Sequence, residues 1–262
     1  MSTRPRPRFT DVVLDPGHGG IDPESGEYVT APSKMYVFTR TKEGDPIDPP
    51  LTHYEGQWTR VGCSMLATML KGARVRCWSS LDGDEIIEWP RPDAPAFTHA
   101  DVSLTDRVRF ADRIERDAHA RGGRSLVVSV HSNAAGSSDL LRMGGGSDAS
   151  GISVYTSIGQ TDADTVADAL YDAYLADPQM PFRVRRGDFS DGDRDHEAGF
   201  YVLRKTDAPA VLIEGGFHTN LADARRLQTI TGQLSLSVAA FRALLPFLVR
   251  DDGDPVQPIY FS

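Results

Sequence analysis

Apolar positions along this chain fall into short buried runs alternating with helical stripes. Val12–Leu14 runs into Asp15-Pro16 and then Gly17, His18, Gly19 and Gly20. Proline and glycine do not continue a ladder, so the pattern predicts a strand that ends here and delivers His18 into open space at its carboxyl end. A polar stretch follows to about Thr52, punctuated by Pro23, Pro32, Pro46, Pro49 and Pro50. Only Met35–Thr39 reads as a strand there, part of an excursion over the sheet of the kind that often forms a functional lid. From Thr52 or His53 to about Leu70, Trp58, Val61, Met65, Leu66 and Met69 recur at helical spacing, and Gly72 stops the helix.

The alternation continues. Ala73–Ser79 reads as a strand, and Leu81–His99, rich in proline and acid, as a surface loop. Ser103 or Thr105 caps a helix over Thr105–Ala120, which ends at Gly122-Gly123. Ser125–Val130 is a continuous apolar strand followed at once by His131. Gly136–Ser150 reads as a mobile glycine- and serine-rich loop, Gly151–Ser157 as a strand, Asp162–Ala176 as a helix and Asp177–Gly199 as a charged rim loop. Phe200–Leu203 and Ala210–Ile213 read as the last strands, followed by helices over Leu221–Gln228 and Gly232–Val249. Strands alternating with helices predict a single α/β domain: a twisted, mostly parallel sheet with helices on both faces. The expected divisions are a flexible arm (1–10), a catalytic domain (11–250) and a tail (251–262). In such sheets ligands bind beyond the carboxyl ends of the strands, where this pattern places His18, His131 and Glu214.

Composition narrows the class. With 262 residues, 40% of them hydrophobic, the chain can bury a sizeable core. A net charge of −9 and the lack of a long basic block disfavour a nucleic-acid partner. No apolar run approaches the roughly 18 residues of a bilayer span. No hydrophobic segment follows the basic start, so no secretory signal is expected. Cys63 and Cys77 match no metal-binding spacing and read as buried free thiols.

The chemistry rests on histidines and glutamates. A catalytic zinc takes three protein ligands and keeps a fourth place for a water that it acidifies. His18 and His131 share the context of an apolar strand end. Glu55, in the first turn of the helix after the His18 loop, suits as third ligand, with a negative side chain at the positive helix end. His53 and Glu43 are its rivals. Glu214 follows the apolar run PAVLI, and burial there raises its proton affinity toward the range of a general base; its bland alternative is an N-cap-like contact to the next helix. His99 and His119 read as surface residues, His196 as a rim residue, and His218 as a cap for the following helix or a substrate-orienting group.

The pieces VVLDPGHGG, HYEGQWTRVGCSMLATML, SLTDRVRFAD, LVVSVHSNA, GISVYTS and YVLRKTDAPAVLIEGGFHTNLADARRL, in that order over about residues 11 to 228, resemble the zinc-dependent N-acetylmuramoyl-L-alanine amidases of autolysins, spore-cortex hydrolases and phage endolysins. The resemblance implies one zinc held by His18, Glu55 and His131, with Glu214 as base. It implies hydrolysis of the amide between muramic acid and L-alanine in peptidoglycan. Arg107, in the family's Leu-x-x-Arg-x-x-x-Ala helix with Leu104 and Ala111, takes a structural role. The long stretch from His18 to Glu55, the 81–99 and 136–150 loops and the acidic Asp188–Glu197 segment depart from the pattern. A missing signal fits a phage lysin released by a holin, or a cytoplasmic or indirectly exported enzyme. The other readings are a zinc peptidase or deacetylase acting on wall fragments, and a non-catalytic wall-binding module.

Overall fold

Period-2 alternation in three parallel strands divides the core into two layers. The elements, in chain order, are β1 (Asp11–Pro16), β2 (Met35–Arg40), β3 (Pro46–Tyr54), α1 (Glu55–Gly72), β4 (Arg76–Ser79), α2 (Leu104–Ala120), β5 (Ser125–Asn133), β6 (Met143–Gly144), β7 (Ser153–Thr156), α3 (Asp162–Ala176), β8 (His196–Glu197), α4 (Tyr201–Lys205), β9 (Ala210–Phe217), α5 (Leu221–Leu227) and α6 (Ile230–Leu244). Val12, Leu14, Leu126, Val128, Val130, Val211 and Ile213 pack in one cluster with residues of α1, α3 and α6. The intervening Val13, Val127, Ala210 and Leu212 pack in another with α2 and α4. Strands buried on both faces read as continuous apolar runs, as these do.

The computed structural model describes residues 7–30, 32–83, 98–136, 143–189 and 192–256. Its main sheet has the order β4-β1-β5-β9-β7-β8, and helices cover both faces. Pairing is parallel except between β7 and β9, so the sheet is mixed but mostly parallel, and the α/β class holds. Most of the predicted 81–99 loop and residues 137–142 of the 136–150 loop lie outside the described residues. Phe9 is fully buried and bridges Leu248. Cys63 and Cys77 are both buried in the core and form no disulfide with each other.

Several elements differ from expectation for local reasons. The excursion's β2 and β3 form a second sheet of order β3-β2-β6, whose third strand comes from the segment 136–150 that was expected to be a loop, and β3 spans three prolines. Proline is tolerated there because β3 is an edge strand. Phe200–Leu203 lies on a helical turn rather than a strand; Val202 and Leu203 still meet the α2 side of the core. A four-residue apolar run carries too little periodicity to decide between the two. Strands β5 and β9 run further than expected, to Asn133 and Phe217, so His131 and Glu214 sit inside the ladder rather than after it. Finally, residues 230–247 are long and apolar enough to cross a membrane by composition, contrary to expectation, but 61% of that window is buried. The helix is apolar because it packs against both α1 and α3.

Candidate metal centre and catalytic carboxylate

The site grows from the end of β1. The backbone turns sharply after Pro16, with His18 at φ 62°, a left-handed conformation unusual for a residue with a side chain. Two helices hold this turn by its carbonyls. Thr59 Oγ1 of α1 donates to the Gly17 carbonyl at 3.0 Å and Arg60 Nη1 to that of His18 at 2.9 Å. Arg107 of α2 donates to the Pro16 carbonyl at 2.6 Å and to Asp15 at 2.7 Å. Asp15 is fully buried and also accepts from Ser80 and Ser129. Burial alone would raise its carboxyl, but the Arg107 guanidinium and the two hydroxyls outweigh it and bring it down to about 2. Arg107 is therefore the structural residue that the sequence suggested.

His131, Glu55 and His18 converge beyond this turn. Glu55 Oε1 lies 3.1 Å from His131 Nδ1 and accepts from the Ser132 backbone N–H at 3.0 Å. Glu55 Oε2 lies 3.5 Å from His18 Nε2, and the two imidazoles meet edge to face with centroids 4.9 Å apart. One ligating atom from each of the three residues falls within 4.8 Å of the other two. A Cβ on Gly17 would lie 2.5 Å from His131 Nδ1, so only glycine lets the ring stand here. Glu55 is 1% exposed while the His18 and His131 side chains are 19% and 17% exposed, so the cluster opens to solvent on its imidazole side.

Protonation follows from this packing. Burial lowers His18 to about 3 despite the attraction of Glu55. Burial opposes the charge on Glu55, but His18 and the His131 contact win and hold it ionised, well below the usual carboxylate range. His18 Nε2 and Glu55 Oε2 are both buried without a hydrogen-bond partner. Orphaned polar atoms that converge in this way are costly unless something satisfies them. Two imidazoles and a carboxylate, open on one side, are the donor set of a catalytic divalent metal site, so a metal ion fits the residues present.

Glu214 pairs with His131 across the β5–β9 ladder, where partner residues of parallel strands share a face. The register slips immediately beyond, with Gly215-Gly216 supplying the extra length and Gly216 at φ 144°; such bulges recur beside active sites. Glu214 is 8% exposed, its Oε2 has no partner, and burial pushes its carboxyl up to about 8 against the pull of His131. It caps no helix. The cap of α5 is Asn220, which also displaces the capping role expected of His218. His218 is instead buried, with Nδ1 3.0 Å from Ser132 Oγ and 3.8 Å from Glu55 Oε2. His53, the rival of Glu55, stacks against His218 with centroids 6.1 Å apart and does not join the three-residue cluster. Glu43 is exposed, away from the cluster. His119 is exposed, while His99, facing Asp22 at 3.8 Å, and His196, paired with the ring of Tyr155, are half-buried.

One neighbour went unforeseen. Lys34 places Nζ 3.9 Å from Glu55 Oε2. Nothing in its local sequence signals this, because 20 residues of the excursion separate it from Glu55 along the chain.

Comparison with known proteins gives the family and the fold. The family model described as N-acetylmuramoyl-L-alanine amidase matches residues 12–245. No curated protein sequence matches the chain. Among solved structures, an N-acetylmuramoyl-L-alanine amidase from Clostridium difficile 630 superposes with a TM-score of 0.59 at 21% identity, covering 91% of this chain and 96% of that one. One from Nostoc punctiforme gives 0.56 at 22%, covering 90% and 94%. One from Mycobacterium smegmatis gives 0.58 at 18%, covering 92% and 97%. At these identities the likeness establishes a shared fold.

Proposed function

The chain belongs to the N-acetylmuramoyl-L-alanine amidase family, and we propose that it hydrolyses its peptidoglycan amide with zinc held by His18, Glu55 and His131 and with Glu214 as general base. The bond opened is the one between the lactyl carbonyl of muramic acid and the nitrogen of L-alanine. The observation that carries the reading is the convergence of three ligating atoms within 4.8 Å, with Glu214 in register beside one of them.

Zinc at this site would supply a Lewis acid that polarises the amide carbonyl and acidifies a water. The remaining chemistry belongs to the chain. His131 reaches the site as an imidazole on β5 and His18 as one on the turn after β1, whose carbonyls Thr59, Arg60 and Arg107 hold, and Glu55 is fixed by the Ser132 N–H. Glu214 takes a proton from the attacking water and passes it to the departing nitrogen of L-alanine, so that water is divided between a lactyl carboxylic acid and a free amine. A carboxyl whose proton affinity burial has raised is suited to this exchange, and a nearby cation brings it back toward neutrality.

Incubation with purified sacculi tests this. New N-terminal L-alanine with intact glycan is expected, and a chelator should abolish it. Release of other end groups would point to a peptidase or a deacetylase, and no release at all to a binding module.

A further inference from the structure

Beside the imidazole edge of the cluster lies a cavity of about 340 Å³, lined by His18, His131, Thr30, Lys34, Asp101 and Arg107 among others. Its two cations differ in kind. Arg107 is spent: Nε donates to the Val102 carbonyl at 2.9 Å, Nη1 to Asp15 and Pro16 at 2.7 and 2.6 Å, and Nη2 faces the His18 carbonyl at 3.3 Å. Asp101 is engaged as well, accepting from Thr30 Oγ1 at 2.5 Å. Lys34 is not spent. Its ammonium stands 3.9 Å from Glu55 Oε2, beyond hydrogen-bond length, and donates to nothing among the described residues. The side chain is 36% exposed, and its charge lowers the proton affinity of His18, Glu214 and His218, as expected of a cation facing the site.

Its position is built in. Tyr28 Oη donates to the Lys34 carbonyl at 2.9 Å and accepts from the Gly56 N–H at 3.0 Å, so one hydroxyl ties the lysine's backbone to the first turn of α1, beside Glu55. A cation held at the edge of an open cavity with three free donors selects an anionic ligand.

We propose that Lys34 forms a carboxylate-binding subsite of this cavity, taking the free α-carboxylate of the residue that follows L-alanine in the stem peptide. The proposal rests on the amidase reading, which places the scissile amide at the neighbouring cluster. That carboxylate lies one residue beyond the amide, and two residues span at most about 7 Å, which matches a lysine one contact away from Glu55. The subsite distinguishes stem peptides with a free acid at this position from those in which it is amidated.

The test uses the full chain loaded with zinc. In a Glu214→Gln background, which blocks turnover, calorimetry measures binding of N-acetylmuramoyl-L-alanyl-D-glutamate and of its α-amide. The acid should bind about tenfold more tightly than the amide, the scale of one charge-assisted hydrogen bond. Adding Lys34→Met should bring that ratio to about one, and Lys34→Arg should restore most of it. Bound zinc, read by elemental analysis, should be the same in all three proteins. An unchanged ratio in the Lys34→Met protein, equal weakening of both fragments, binding of neither fragment, or loss of zinc overturns the assignment. Sacculi digestion by the wild-type protein reads the parent reaction separately. If no muramoyl–L-alanine amide opens there, the amidase reading itself falls; if the amide opens and calorimetry shows no acid preference, only Lys34 falls.

Discussion

At the scale of single residues, the site depends on how one carboxylate is surrounded. Glu55 meets two imidazoles and one backbone N–H, and these keep it charged where burial alone would neutralise it. Gly17 contributes by what it lacks. Gly17→Ala should push the His131 ring out of place and weaken zinc binding about 10- to 100-fold, the usual cost of disturbing a ligand's support, while circular dichroism stays native. Glu214 tests the division of labour between ligand and base. Glu214→Ala should retain zinc, since no ligand is lost, and reduce kcat by about 10²- to 10⁴-fold; normal digestion of sacculi by that variant would remove the assigned role. His18 and His131 were legible as candidates because a lone histidine at the end of an apolar run has few structural uses. Lys34 was not, and His218 was legible only as a cap or a substrate-orienting group, because their relation to Glu55 exists only through contacts between segments far apart in the chain.

At the scale of elements, the end of β1 is held by two helices that contribute side chains rather than apolar surface. Arg107 of α2 is 3% exposed and joins Asp15 to the carbonyls of Pro16 and His18. Replacing it with methionine leaves a buried carboxylate without its counter-charge. Arg107→Met should therefore destabilise the fold by about 3–5 kcal/mol, measured by urea denaturation, and reduce zinc retention because the His18 turn loses an anchor. Helices α2 and α3 were readable from periodicity, and Ser103 does cap α2 as expected; Thr161 with Asp164 forms a capping box on α3. The excursion was harder. Its prolines read as loop, yet β3 pairs along β2 as an edge strand whose inward side meets Tyr36 and Phe38. Edge position is a tertiary property, and local composition does not encode it.

At the scale of the whole molecule, stability should be linked to protons and to metal. The Asp15 carboxyl falls from 3.8 to about 2 on folding, so the folded state favours its ionised form. The resulting stabilisation, about 2 kcal/mol, is complete above pH 4 and lost as pH falls from about 4 to about 2. Acid titration should therefore show an unfolding transition in that window, and in Asp15→Asn the pH dependence there should flatten. If zinc binds as proposed, through residues brought together from the turn after β1, from α1 and from β5, a hundredfold excess over Kd should add roughly 2.7 kcal/mol and raise Tm by several degrees. That rise should vanish in His18→Ala.

The sequence by itself determined the parallel apolar strands, the amphipathic helices that cover them and the polar residues at the strand ends, because hydrophobic periodicity and helix caps are written locally. From those ends it also pointed to His18, His131 and Glu214, and from the first turn of a helix to Glu55. Only the tertiary structure decided that β5 and β9 run on through His131 and Glu214, that the proline-rich excursion is a second small sheet, and that Lys34 faces the cavity beside Glu55. The physical reason is the same in each case: strand length, edge position and convergence on a shared site are set by pairing and burial between segments distant in sequence, whose energies no single stretch of chain contains.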